Sequence, residues 1–118
     1  MADRLLILVR RPPVGTHNSL EAFRVALGLL VGNVEPAVVL LEDGVYNALP
    51  GVDPTRVGRA ALGVFLEEAV DWEVPIYLVR EDAQARGLDP AQLASFVRPL
   101  ARAELGALIR EYGTVAGF

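Results

Sequence analysis

The chain has 118 residues, 53% of them hydrophobic, which fits a single domain over 1–118 with a sizeable core. Its net charge of −4 disfavours broad nucleic-acid binding, which needs a basic surface, and all eleven basic residues are arginine, the side chain suited to fixed, planar ion pairs. There is no cysteine, which excludes disulfides, thiolate metal sites and cysteine nucleophiles, and one histidine is too few to build a zinc site from this chain alone.

Leu5 to Val9 is a continuous apolar run between Arg4 and Arg10, suited to a strand buried on both faces. Arg11-Pro12-Pro13-Val14-Gly15 cannot be helix. Asn18 then reads as an N-cap with Glu21 completing a capping box. Leu20, Phe23, Leu27, Leu30 and Val31 recur at helical spacing until Gly32-Asn33. Ala37 to Leu41 is a second buried strand, and Asn47 to Gly51 reads as loop. Asp53-Pro54 opens a helix carrying Val57, Ala61, Val64, Phe65 and Val70 that ends near Trp72. Ile76 to Val79 is a third strand.

Glu81 to Arg86 predicts a short helix stopped by Gly87, and Asp89-Pro90 another start. Pro99 interrupts the stripe of Leu93, Phe96, Val97 and Leu100, so Ser95 to Arg98 is read as a short strand. Ala103 to Tyr112 is a helix with Leu105, Leu108 and Ile109 on one face, and Thr114 to Phe118 a terminal strand. Strands alternating with helices imply βαβ units, hence a mostly parallel sheet covered by helices. The Met1-Ala2-Asp3-Arg4 start lacks a signal-peptide pattern, and no apolar run approaches the ~20 residues of a membrane span. The expected location is therefore the cytoplasm, with no membrane partner. An apolar excess in so short a chain also leads us to expect an oligomer.

In such sheets ligands gather beyond the carboxyl ends of the strands. Three loops build that rim: Arg10 to His17, Glu42 to Gly51 and Arg80 to Gly87. Gly15, Thr16, His17 and Asn18 lead into a helix N-terminus, a plausible anion site, although a rigid proline turn plus a cap accounts for them with no ligand. His17 is a proton carrier by its chemistry, but no nucleophile accompanies it. Glu42 and Asp43 form a carboxylate pair, yet neighbours in an extended segment point to opposite faces and Asp43-Gly44 is ordinary turn chemistry. Glu67, Glu68, Asp71 and Glu73 are most simply a solvated helix face.

Taken in order, Pro13-Val14-Gly15-Thr16, then Glu42-Asp43-Gly44-Val45-Tyr46-Asn47-Ala48-Leu49-Pro50-Gly51, then Ala85-Arg86-Gly87-Leu88-Asp89-Pro90 resemble the successive motifs of the DsrE/DsrF-like family. The run from Asp43 to Gly51 is similar to its DsrF/TusC branch, and Tyr112-Gly113-Thr114-Val115-Ala116-Gly117-Phe118 resembles the family's closing helix and strand. The resemblance implies a three-layer α/β/α fold with a five-stranded, mostly parallel sheet. It also implies a place in a relay that passes persulfide sulfur between cysteines, toward tRNA 2-thiouridine or within sulfur oxidation, with sibling subunits in a hetero-oligomer and no cofactor. Sulfur-carrying relatives place a cysteine at the end of the third strand, about eight residues before the glycine of the arginine-glycine motif; here that position is Val79. A valine holds no persulfide. What remains is a noncatalytic subunit with a binding rim of Gly15, Thr16, His17, Asn18, Asp43, Gly44, Tyr46 and Arg80. The alternatives are a stand-alone module for a small anion or nucleotide-like ligand, and an acid/base enzyme using His17 with Glu42 or Asp43.

Overall fold

The structure is a computed structural model that describes residues 3–13, 17–49 and 60–118, with side chains from 65 onward in the last segment. Five strands form one sheet: β1 (Asp3–Val9), β2 (Val34–Leu40), β3 (Ile76–Val79), β4 (Val97–Leu100) and β5 (Val115–Gly117). Every pairing is parallel and the order is β4-β3-β2-β1-β5, so the three apolar runs of the sequence are the three inner strands. The α-helices are α1 (Asn18–Val31), α2 (Ala60–Asp71), α3 (Arg80–Ala85) and α4 (Arg102–Tyr112).

Alternation along each strand divides the sheet into two faces. Ile7, Val9, Val38, Leu40, Ile76 and Leu78 lie in one core with Ala22, Phe23 and Ala26 of α1 and Ala69 of α2. Leu6, Ala37, Val39, Val79 and Leu100 lie in the other, with Leu108 of α4 and half-buried Leu105 and Ile109 against them. The first core is the larger, and Phe23 is its largest fully buried side chain.

Several boundaries differ from the sequence reading. Asn18 is the first helical residue of α1, not its cap; His17 holds the cap position and no side-chain capping bond is made there. Glu21 does not close a capping box: its carboxylate pairs with Arg24 one turn along. The segment expected as loop from Asn47 instead belongs, through Ala48, to a 3-10 helix that begins at Glu42. The strand expected at Ser95 to Arg98 forms two residues later, at Val97–Leu100, and contains Pro99. Proline is tolerated because β4 is an edge strand whose outward N–H has no ladder partner to lose. The strand β2 begins earlier than expected and takes in Pro36, and the terminal strand is shorter than Thr114 to Phe118. The start of the second helix at Asp53-Pro54, with Val57, lies outside the described residues.

Two substitutions in α1 test this packing in opposite directions. Phe23→Ala should cost about 3–5 kcal/mol of unfolding free energy by opening a cavity in the larger core. Gly28→Ala should add roughly 1 kcal/mol, since a Cβ there meets nothing within 4 Å and the helix gains propensity. Urea denaturation of the two variants measures both.

Candidate functional site

The carboxyl rim of the sheet is organised around the 3-10 helix Glu42–Ala48, which packs across the ends of β2 and β3 and against α3. Its approach is possible only because residue 44 is glycine. A Cβ on Gly44 would stand 1.9 Å from the carbonyl oxygen of Val9 and 2.7 Å from its carbonyl carbon. That same carbonyl accepts the N–H of Leu41 at 3.1 Å, and the N–H of Gly44 returns to the Leu41 carbonyl at 2.9 Å. Val45 and Ala48 are fully buried beneath the segment. The Asp-Gly-Val-aromatic run is therefore a packing device, in which glycine supplies close approach and valine supplies the anchor.

Asn47 ties this segment to the first loop. Its side-chain amide nitrogen lies 3.0 Å from the Gly44 carbonyl, 3.1 Å from the Ser19 hydroxyl and 3.2 Å from the Arg11 carbonyl. Ser19, fully buried in the first turn of α1, in turn donates to the carbonyls of Arg11 and Pro12. A buried amide and hydroxyl thus satisfy backbone groups that the proline-rich turn leaves without ladder partners.

Asp82 ties the segment to the other side of the rim. Its carboxylate, 6% exposed as a residue, accepts the backbone N–H of Glu42 at 2.7 Å and is paired with the guanidinium of Arg102. Arg86 donates to the Asp82 carbonyl at 3.2 Å and to the Asp43 carboxylate at 2.9 Å. Glu42 sits at φ +51, a left-handed conformation that a non-glycine residue holds only at some cost. The charge-assisted bond from its N–H to Asp82 offsets that cost.

The entry to α4 depends on its neighbour. Ala101, at the cap position, has no side-chain acceptor, so the N–H of Arg102 is taken by both oxygens of Glu81, at 3.0 and 3.1 Å. The N–H of Ala101 is taken by Glu104 at 3.0 Å. The bond from the Arg102 amide is the main reason that the Glu81 carboxyl is held below its ordinary value.

The expected rim residues are distributed unevenly over this arrangement. Gly15 and Thr16 lie outside the described residues. His17 is exposed at the start of α1 and Asn18 is half-buried beside it. Asp43 is an ion-pair partner, Gly44 is buried against Val9, and Tyr46 is half-buried. Arg80 is exposed at the start of α3. Val79 ends β3 but is 0% exposed, closed in the smaller core with Leu100 and Leu108, because its parity in the strand turns it toward α4. Among the described residues no three carboxylates or imidazoles are grouped to hold a metal ion. Glu42 and Asp43 do not converge; one gives its N–H to Asp82 and the other its carboxylate to Arg86. The residues that organise the rim, Ser19, Asn47, Glu81, Asp82, Arg86 and Arg102, were not singled out as a site by sequence reasoning. Asn47 and Arg86 did stand inside the family-like runs; the others carry no local signal.

The sequence model of the DsrE/DsrF-like family matches residues 3–115. The chain belongs to that family. Within it, the chain is 33% identical over 89 residues to the intracellular sulfur oxidation protein DsrF of Allochromatium vinosum, covering 75% of this chain but 65% of that protein. It is 27% identical over 116 residues to a protein TusC homolog of Pseudomonas aeruginosa, 98% of each chain. These two support the DsrF/TusC branch of the family. Among solved structures, the ychN protein from E. coli shares the fold over 100% of both chains, with a TM-score of 0.82 at 22% identity. No helix among the described residues is long and apolar enough to cross a membrane.

Three variants test the rim. Gly44→Ala should lose about 3 kcal/mol, because neither the Val9 backbone nor the 3-10 segment can yield the missing space. Asp82→Ala should lose about 2 kcal/mol, and Asp82→Asn less, since the amide oxygen still accepts from Glu42; chemical denaturation reads all three. The depressed Glu81 carboxyl adds a pH test. Its contribution is complete above the ordinary value of 4.5 and is lost as pH falls through the lower folded value. Melting temperatures between pH 7 and strongly acidic pH should therefore fall less steeply on the acid side in Glu81→Gln.

Proposed function

We propose that this protein is a noncatalytic DsrF/TusC-like subunit of a sulfur-relay complex, one that serves tRNA 2-thiouridine formation or sulfur oxidation. It works beside siblings that carry the sulfur. The observation that carries this reading is the absence of any cysteine from a chain whose family model matches nearly its whole length. Relay of persulfide sulfur requires a thiolate to attack the donor's outer sulfur atom, and a new sulfur–sulfur bond to hold it. The one methionine offers a thioether, which has no S–H to lose and forms no persulfide. Val79, where the resemblance places the relatives' cysteine, is fully buried and hydrocarbon. The rim around it carries charged groups in pairs of their own, Asp82 with Arg102 and Asp43 with Arg86.

A subunit of this kind contributes through what it binds, and its place in a hetero-oligomer with cysteine-bearing siblings follows from the same reading. The cytoplasm, where thiols stay reduced, is the matching compartment.

The test is coexpression with a cysteine-bearing DsrE-type sibling from the same genome, followed by size separation and mass measurement after exposure to a cysteine desulfurase and its substrate. The expected result is a stable mixed complex in which added sulfur, about 32 mass units per atom, appears on the sibling's cysteine only. A chain that stays separate from every such sibling, or a covalent gain of sulfur on this chain, would contradict the proposal.

A further inference from the structure

The helices α1 and α2 end side by side at the amino end of the sheet, away from the rim, and they end unusually. Val31, the last residue of α1, is 91% exposed, and Trp72, which follows α2, is 70% exposed. The two line one open notch of about 290 Å³ with Leu27, Leu30 and Glu68. Trp72 and Leu30 also line a second depression of about 250 Å³, where Arg4, Glu35 and Glu73 form part of the wall. The outer stripe of α1 leading to the notch contains Gly28, whose Cβ position faces open space, so a partner can approach the helix backbone closely there.

The charge around this apolar surface is predominantly negative, and Arg4, which also lines the second depression, is paired with Glu35 and Glu111. Glu67, Glu68, Asp71 and Glu73 are exposed around Trp72. Neither α1 nor α2 has a basic residue in its last turn. Both helices therefore bring the negative ends of their dipoles, about half an elementary charge each, to the same place without compensation. Of the described arginines, Arg24 is paired with Glu21 and Arg4 with Glu35 and Glu111, while Arg98 lines a separate depression beyond Glu73 and lies over the Tyr77 ring.

We propose that this notch is a docking site for a different protein chain, one that presents an apolar side chain flanked by arginine or lysine. A second copy of this chain is disfavoured as the occupant, since a two-fold contact through the notch would set Glu68, Asp71 and Glu73 against their own copies. A basic partner gains from both the carboxylates and the two helix ends while covering the indole. The inference does not depend on sulfur relay, because it names a surface on the opposite end of the sheet from the rim.

Trp72 is the single tryptophan of the chain, so its emission reports the notch directly. The full chain is titrated with an amphipathic helical peptide of leucine and arginine, and with the same peptide carrying glutamate in place of arginine. A saturable blue shift is expected with the first peptide and none with the second. Gly28→Gln, which places bulk into open space, should weaken binding at least about tenfold while its melting temperature is no lower than that of the parent chain. Glu68→Arg combined with Asp71→Arg should reverse the preference between the peptides. Equal response to both peptides, no response to either, a blue shift that appears with rising concentration of the chain alone, or one that appears only on lipid vesicles would each overturn the proposal. Neither peptide carries transferable sulfur, so failure here leaves the relay reading standing.

Discussion

The carboxylate of Asp82 joins three parts of the chain that have no local reason to meet. It takes the amide of Glu42, forty residues earlier, and pairs with Arg102, twenty residues later. Through the first contact it holds the start of the 3-10 segment in a left-handed conformation that Glu42 would otherwise leave. Through the second, together with Glu81, it fixes the entry of α4, the helix that covers the smaller core. A buried carboxylate is costly unless its oxygens are occupied, and here both are. Gly44 and Asn47 complete the arrangement from the β1 side, one by leaving room for the Val9 carbonyl and the other by bonding across to Arg11 and Ser19. The rim of this sheet, where relatives are expected to work, is thus stitched by side chains that bond to one another.

Much of the fold was legible because it rests on signals that are local. Continuous apolar runs marked β1, β2 and β3, and their burial on both faces is what placed them at the centre of the sheet. The helical stripes of α1 and α4 and the glycine at 113, in the left-handed region at φ +80, gave the remaining boundaries. Several misplacements were settled by tertiary surroundings rather than by local pattern. Asn18 looked like a cap, yet the first turn of α1 is tethered by Ser19 reaching back to Arg11 and Pro12. Pro99 was read as interrupting a helical stripe, with a strand ending just before it, yet β4 takes it in because at the open edge it removes no bond. Ala101 carries no capping signal, because the cap for α4 comes from Glu81 on another helix.

The site was legible only in outline. The family-like runs pointed to the right end of the sheet, and Gly44 and Asn47 lie within them. The ion pairs of Asp82 and Arg86 could not be read, since a carboxylate and a guanidinium twenty or forty residues apart leave no pattern in a single sequence. The position of Val79 was inferred by counting along the chain, which gives place but not facing. Its inward direction is fixed by the register of β3 against β4, where Val79 stands opposite Leu100. A family scaffold is kept in a chain with no cysteine, and Val79, where the resemblance places the relatives' cysteine, is closed in hydrocarbon.

The central claim is that the rim is a closed, self-paired structure rather than an open reaction site. It is tested most directly by replacing Val79 with cysteine, the only thiol the protein would then have, and measuring its rate of alkylation by a small reagent under native conditions. The account predicts modification no faster than the chain unfolds, with the rate rising as denaturant populates the open state. Rapid alkylation of the folded protein, at a rate near that of a free thiol and insensitive to low denaturant, would contradict it.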